Sequence, residues 1–211
     1  MDKDYWDSYY ASRKAVHFPS PFCEYALTWV PANSTIVELG CGNGRDSFFF
    51  AEKGNNVIGI DQSDTVIGIN NARVPEFIVG GKLQFVADDF TKPNLAKYAA
   101  VKANVVYSRF TLHSITEDEQ ANVVSWVYDY LPPGGLFLIE CRTKNDPMLT
   151  KGKRLSENEA VTDHYRRFLD ASAFLSLVLA KGFKARYFIE SDNLAVFKDD
   201  NPVVARYVLT K

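Results

Sequence analysis

T-I-V-E-L-G-C-G-N-G-R-D-S-F-F-F-A-E-K-G-N-N-V-I-G-I-D, residues 35–61, opens with an apolar run (Ile36, Val37, Leu39) that predicts a buried strand. Three alternating glycines follow (Gly40, Gly42, Gly44), then an aromatic and apolar helix pattern. A second strand, Val57 to Ile60, ends on Asp61. Strand, glycine turn, helix, strand and acid in this order make the nucleotide-binding half of a doubly wound sheet. Glycines let the backbone turn tightly and approach a ligand closely, because no Cβ stands in the way. An acid closing the second strand is placed to accept hydrogen bonds from both ribose hydroxyls.

The spacing also speaks to the ligand. A dinucleotide fingerprint, G-x-G-x-x-G, would put its third glycine at position 45, which is Arg45, and Glu38 precedes the turn. A carboxylate there suits a cationic ligand and repels a pyrophosphate, which argues against a nicotinamide-dependent oxidoreductase. S-adenosylmethionine (SAM) carries a sulfonium, an ammonium and a ribose, and no phosphate.

E-L-G-C-G-N-G (residues 38–44) and V-I-G-I-D (residues 57–61) resemble motif I, and the motif after it, of the class I SAM-dependent methyltransferases. The resemblance covers nearly the whole chain, most specifically residues 36–115. It implies an α/β, Rossmann-like, seven-stranded, mostly parallel sheet of order 3-2-1-4-5-7-6 with helices on both faces. It further implies SAM as cofactor and methyl transfer as activity, with Glu38, Gly40, Cys41 and Gly42 at the cofactor and Asp61 and Gln62 at its ribose.

Residues 1–30 precede the sheet and are rich in aromatics. Apolar positions at helical spacing predict a helix over Pro21–Val30, with Tyr25 and Trp29 in its core face. In the resembling family such N-terminal segments cover the cofactor and substrate as a lid. The resemblance thus places Tyr5, Trp6, Tyr10 and Phe22 in that cover and Arg13 at the methionine carboxylate. Residues 31–211 form the methyltransferase domain, in a chain read as one domain overall.

After Asp61 the sequence predicts a helix from about Ser63, capped by Ser63 or Asp64, then a strand L-Q-F-V (Leu83–Val86) closing on A-D-D-F. In the family an acid after this strand binds the adenine amino group, and the next residue covers the ring or offers its N–H. Those roles fall on Asp89 and Phe90, or one position earlier on Asp88. A-N-V-V-Y-S-R-F-T-L-H-S-I (Ala103–Ile115) is the fourth strand and its exit, resembling motif IV. The C-terminal ends of parallel strands face the ligand crevice, so Ser108, Arg109 and Phe110 are expected where SAM meets the acceptor.

Thr116 caps the next helix, Glu117–Tyr130; L-P-P-G-G then launches strand five, Leu136–Cys141. A helix over Asp170–Gly182 and two strands, Phe183–Glu190 and Val203–Leu209, complete the chain.

A methyl acceptor needs a base only if it carries a proton that must leave. His113 and His164 are the candidates, with His17 a third. An acceptor already anionic needs cationic positioning instead, for which Arg109, Arg142, Lys144, Arg166 and Arg167 are available, with Tyr165 beside them. The competing reading is that these cations are solvated or pair with Glu140 and Asp163. Y-W-D-S-Y-Y, G-N-G-R-D-S-F-F-F, S-R-F-T-L-H-S-I and H-Y-R-R-F together look like small bacterial methyltransferases that decorate surface-polysaccharide precursors. A sugar or phosphate-bearing small-molecule acceptor is therefore expected. N- or O-methylation of a secondary metabolite and a non-catalytic SAM-binding subunit are the alternatives.

Composition bounds the rest. A net charge of -2 over 211 residues gives no general electrostatic case for nucleic acid. The base-methylating signature N-P-P-Y or D-P-P-Y is absent where the fourth strand ends in Y-S-R-F. No apolar run approaches a membrane span. Three cysteines without metal-ligand spacing suit a reducing cytoplasm, no metal is expected, and the state is monomer or homodimer.

Overall fold

The structure is a computed structural model that describes residues 3–11, 18–77, 80–93 and 101–211. Arg13 and His17 lie outside the described residues. A seven-stranded sheet has the order β3-β2-β1-β4-β5-β10-β9, formed by β1 (Thr35–Leu39), β2 (Asn56–Asp61), β3 (Leu83–Ala87), β4 (Val105–Arg109), β5 (Leu136–Arg142), β9 (Lys184–Ser191) and β10 (Val204–Thr210). β1, β2 and β3 pair in parallel, and β10 runs antiparallel to both β5 and β9. This is the expected order, with the last two strands renumbered because three short strands intervene. Those strands, β6 (Lys153–Arg154), β7 (Glu159–Val161) and β8 (Tyr165–Arg167), form a separate antiparallel sheet in a stretch read only as a polar insertion.

The chain divides inside β4 into two compact units, residues 2–107 and 108–211. In the first, α1 (Lys3–Ala11) and α2 (Pro21–Leu27) precede β1, α3 (Arg45–Glu52) joins β1 to β2, and α4 (Asp64–Arg73) follows β2. Apolar strands β1 and β2 are buried almost throughout, as parallel strands covered on both faces must be. α2 starts on Ser20, whose hydroxyl accepts from Cys23 N–H, with Pro21 supplying a φ already suited to a first helical turn.

Phe22 is fully buried and stacks on Tyr107 at 5.2 Å. That corrects its assignment to the lid: α2 packs it into the core. Asp46 anchors the same region, accepting from Ser20 N–H and Oγ (both 2.7 Å) and from the Tyr107 hydroxyl (2.8 Å).

In the second unit, α5 (Glu117–Tyr130) begins with a full capping box between Thr116 and Glu119. α6 (Ala171–Lys181) is capped by Asp170 and stops at Gly182, φ 117°. The pairing of β9 with β10 slips between Val208 and Leu209, leaving Arg186 without a cross-strand partner.

Candidate active site

The turn leaving β1 needs positive φ at Gly40 (64°), Gly42 (51°) and Gly44 (74°). At Gly42 the requirement is double, because an added Cβ would run into the Tyr10 hydroxyl. Asp61, at the end of β2, accepts the Gly42 N–H on Oδ2 and the Ser63 N–H on Oδ1, each at 3.0 Å. The acid and the glycine turn thus form one rigid unit. Burial pushes the Asp61 carboxyl above its ordinary value, against the pull of those backbone N–H groups. Asn70, on α4, ties down the turn by donating to the Gly42 carbonyl at 2.7 Å.

Glu38 is buried in β1 and accepts the Ser47 hydroxyl of α3. Cys41 is buried within the turn, which raises its thiol well above its usual range and keeps it protonated. Beside Asp61, the buried Gln62 Nε2 donor has no hydrogen-bond partner among the described residues. A buried donor left open next to a ribose-type acid fits a nucleoside ligand, since such groups otherwise cost stability.

α1 lies over this turn. Tyr10 is near Gly42 and stacks with Trp6 at 5.9 Å, and Tyr5 packs edge-on to Trp6 at 5.0 Å. Asp7 accepts the Ser63 hydroxyl, and Lys3 pairs with Asp7 (2.9 Å) and Asp64 (3.1 Å). The helix is therefore pinned to the start of α4.

At the end of β3, Asp89 accepts both the Thr91 N–H (2.9 Å) and hydroxyl (2.7 Å), closing a turn. Asp88 continues the ladder, donating its N–H to the Asp61 carbonyl at 3.0 Å. The Phe90 ring is fully buried.

In the second unit a cationic cluster surrounds His113. Phe110 holds φ 55°, a costly conformation for a residue with a Cβ, and its N–H donates to the Glu140 carbonyl at 2.9 Å. Arg109 and Arg142 lie over the Phe110 ring, 4.2 and 5.4 Å from its centroid. Glu140, fully buried on β5, bridges Arg109 Nε (2.9 Å) and Arg206 Nε (2.7 Å). Arg142 donates to Asp146 at 2.8 Å and to Asp200.

His113 is 5% exposed, and its Nδ1 is 4.0 Å from Cys141 Sγ. Burial first, then the positive fields of Arg166 and Arg142, hold its imidazole well below the ordinary pKa of 6.5. His113 is therefore neutral at physiological pH. Burial raises the Cys141 thiol to about 12. His164 is buried near His113, with Nδ1 3.2 Å from Asp163.

Not every expected residue joins this cluster. The Tyr165 hydroxyl donates to Glu159 at 2.5 Å, cross-bracing the small sheet. Arg167 is buried and donates to the Ile115 carbonyl (3.1 Å) and Gln120 (2.5 Å), fastening β8 to the loop before α5 and to the start of that helix. Alternation along β8 sets both apart from Arg166, whose charge reaches His113. The Ser108 hydroxyl is buried against that of Thr111. Lys144 pairs with Asp170 at 2.5 Å. The competing reading of paired cations is right for Arg109 with Glu140 and for Arg166 with Asp163. Among the described residues no group of three His, Cys, Asp or Glu side chains could hold a metal ion, and no helix is long and apolar enough to cross a membrane.

Sheet order and glycine turn together define a Rossmann-like fold of the methyltransferase type. A family model described as a methyltransferase domain matches residues 10–187, and the chain belongs to that family. Carboxy-S-adenosyl-L-methionine synthase of Campylobacter concisus is 23% identical over 154 residues, 72% of this chain and 60% of that protein. The chain spans about half the length of several curated relatives it matches.

A SAM-dependent methyltransferase from Methanosarcina mazei superposes with a TM-score of 0.74 at 17% identity, covering 89% of this chain and 96% of that one. The glycopeptide N-methyltransferase MtfA, crystallised with SAM, superposes at 0.67 with 16% identity over 94% and 97%. SAM is the cofactor this family uses, and the Asp61–Gly42 unit with the open Gln62 donor is a protein surface that suits it.

Proposed function

We propose that the chain transfers a methyl group from SAM to a small anionic acceptor, and that the acceptor oxygen belongs to a sugar or a phosphate-type substituent of a surface-polysaccharide precursor assembled in the cytoplasm. The observation carrying this reading is the group of guanidiniums around a neutral imidazole, in a chain whose net charge is slightly negative.

Methyl transfer from a sulfonium is an in-line displacement to which SAM brings the activated methyl. The protein holds donor and acceptor collinear and keeps water away. In this reading Asp61 and Gln62 hold the ribose, Asp88 or Asp89 the adenine amino group, and Glu38 favours the cationic end. Tyr10 and Trp6 close over the ligand. Arg109 and Arg142 orient the acceptor's negative group, and an acceptor that is already anionic needs no base, which suits a His113 imidazole kept neutral by burial and by the guanidiniums around it.

Two measurements test this. Calorimetric titration with SAM is expected to show binding in wild type that is lost in Asp61→Ala. Transfer of labelled methyl from SAM is then followed over sugar phosphates, uronic acids and neutral sugars. Turnover confined to neutral acceptors, or to metabolites without a sugar or phosphate, would overturn the acceptor assignment.

A further inference from the structure

Four guanidiniums in the second unit are buried or nearly so: Arg109, Arg142, Arg167 and Arg206. Among the described residues of this unit two carboxylates, Glu140 and Asp146, are buried with them. Arg167 has no acid within ion-pair distance among the described residues and is satisfied by a carbonyl and an amide. Excess positive charge away from water is costly unless an anion balances it. The remaining acids close by are not buried: the Asp163 and Asp200 side chains are 56% and 43% exposed, and Glu159, across the small sheet from Arg167, is half-buried.

Arg142 presents its fork to two very different carboxylates. Asp146 is 2% exposed, its other oxygen accepts the Met148 N–H at 2.7 Å, and its own N–H donates to the Thr143 carbonyl at 2.9 Å. It belongs to a fixed turn. Asp200 instead sits on the connection between β9 and β10, held by a pair of backbone bonds to Phe197 on a solvent-facing bend. One arm of the fork is thus tied to rigid protein and the other to a carboxylate that water already half solvates. Replacing that second partner by another oxyanion exchanges like for like and leaves the inner pair intact.

We propose that Asp200 is a displaceable stand-in for the negative group of the acceptor. An incoming carboxylate or phosphate takes its place on Arg142, beside the Phe110 ring and within reach of the Arg109 charge. This rests on the anionic-acceptor reading above and deepens it: the β9–β10 connection becomes a specificity gate that admits oxyanions and gives neutral molecules no reason to open it.

The experiment uses the full chain as wild type, Asp200→Asn and Arg142→Lys, titrated calorimetrically with inorganic phosphate, with glucuronate, and with glucose as the neutral control. Asp200→Asn is expected to bind phosphate or glucuronate up to about fivefold more tightly, the ratio for removing competition from one half-exposed ion pair. Arg142→Lys, which keeps the charge and loses the fork, is expected to weaken binding by about tenfold. Glucose is expected to bind none of the three more tightly than another.

Unchanged or weaker oxyanion binding by Asp200→Asn, or no oxyanion binding by any of the proteins, overturns the proposal. An equal gain for glucose does so too. A second readout needs no variant. Trypsin cleavage after Lys198, an exposed residue two positions before Asp200, should quicken in phosphate relative to chloride at matched ionic strength; equal rates count against displacement. SAM titration alongside separates the two readings. Failure with SAM binding intact removes only the gate, whereas loss of SAM binding with the anion result intact removes only the methyl-transfer reading.

Discussion

His113→Gln should remove a defined part of the chain's acid sensitivity. The folded protein keeps this imidazole neutral, because charging it would bring a proton into a buried site facing Arg166, Arg142, His164 and Arg109. In the unfolded chain it titrates near its ordinary value of 6.5. A base with a depressed folded pKa contributes no pH dependence above the unfolded value. Below it, the unfolded state binds a proton that the folded state refuses, so stability falls as pH falls.

For one such group the loss relative to pH 8 is about 0.4 kcal/mol at pH 6.5 and grows as the pH falls further. Urea unfolding followed by far-UV circular dichroism at these pH values, for wild type and variant, isolates the effect. Carboxylates and the other histidines titrate in both proteins and cancel in the difference. The difference curve should slope by up to about 1.4 kcal/mol per pH unit below pH 6. Parallel curves across pH 8 to 5 would mean that His113 charges freely in the folded protein, and would refute its burial among arginines.

Glu140→Gln leaves Arg109 and Arg206 without the carboxylate they share, and urea unfolding should register a loss of about 3–5 kcal/mol, as when one partner of a buried pair is removed. A loss under about 1 kcal/mol would mean that the two guanidiniums find other counter-charge at once. Gly42→Ala places a Cβ at φ 51° and against the Tyr10 hydroxyl; the backbone part costs about 1–2 kcal/mol, and SAM affinity should fall with it. Adding Tyr10→Ala should restore the steric share alone, and unchanged SAM affinity in the single variant would detach this turn from the cofactor.

Most of the large sheet was legible because its strands are short apolar runs punctuated by glycine, proline and capping residues, each a local signal. Ser63, Thr116, Asp170 and Gly182 mark helix ends by their own chemistry. What escaped was set by distance along the chain. Asp46 draws together Ser20 and Tyr107, 26 and 61 residues away, and no local pattern announces that. The same anchoring sends Phe22 into the core, although its neighbours in sequence look like lid aromatics.

The strands of the small sheet are two or three residues long and rich in charge, too short for alternation to register. Without that strand, Tyr165, Arg166 and Arg167 look like one patch; with it, Arg166 is separated from its two neighbours. Phe110 was placed at the acceptor by its position after the fourth strand, but its left-handed backbone could be found only in three dimensions.

The slip in pairing at Arg186 bears on how the chain behaves in company. β9 is the last strand of its sheet, and its middle, Tyr187-Phe188-Ile189, is the kind of sequence that recruits a stray strand from another molecule. An extra residue at Arg186 breaks the even spacing of backbone donors and acceptors that such recruitment copies, and Lys184 adds a second positive charge close by. The irregularity is expected to let an aromatic margin remain on display without seeding polymerisation. Straightening it by deleting Arg186 would turn a tidy border into an adhesive one.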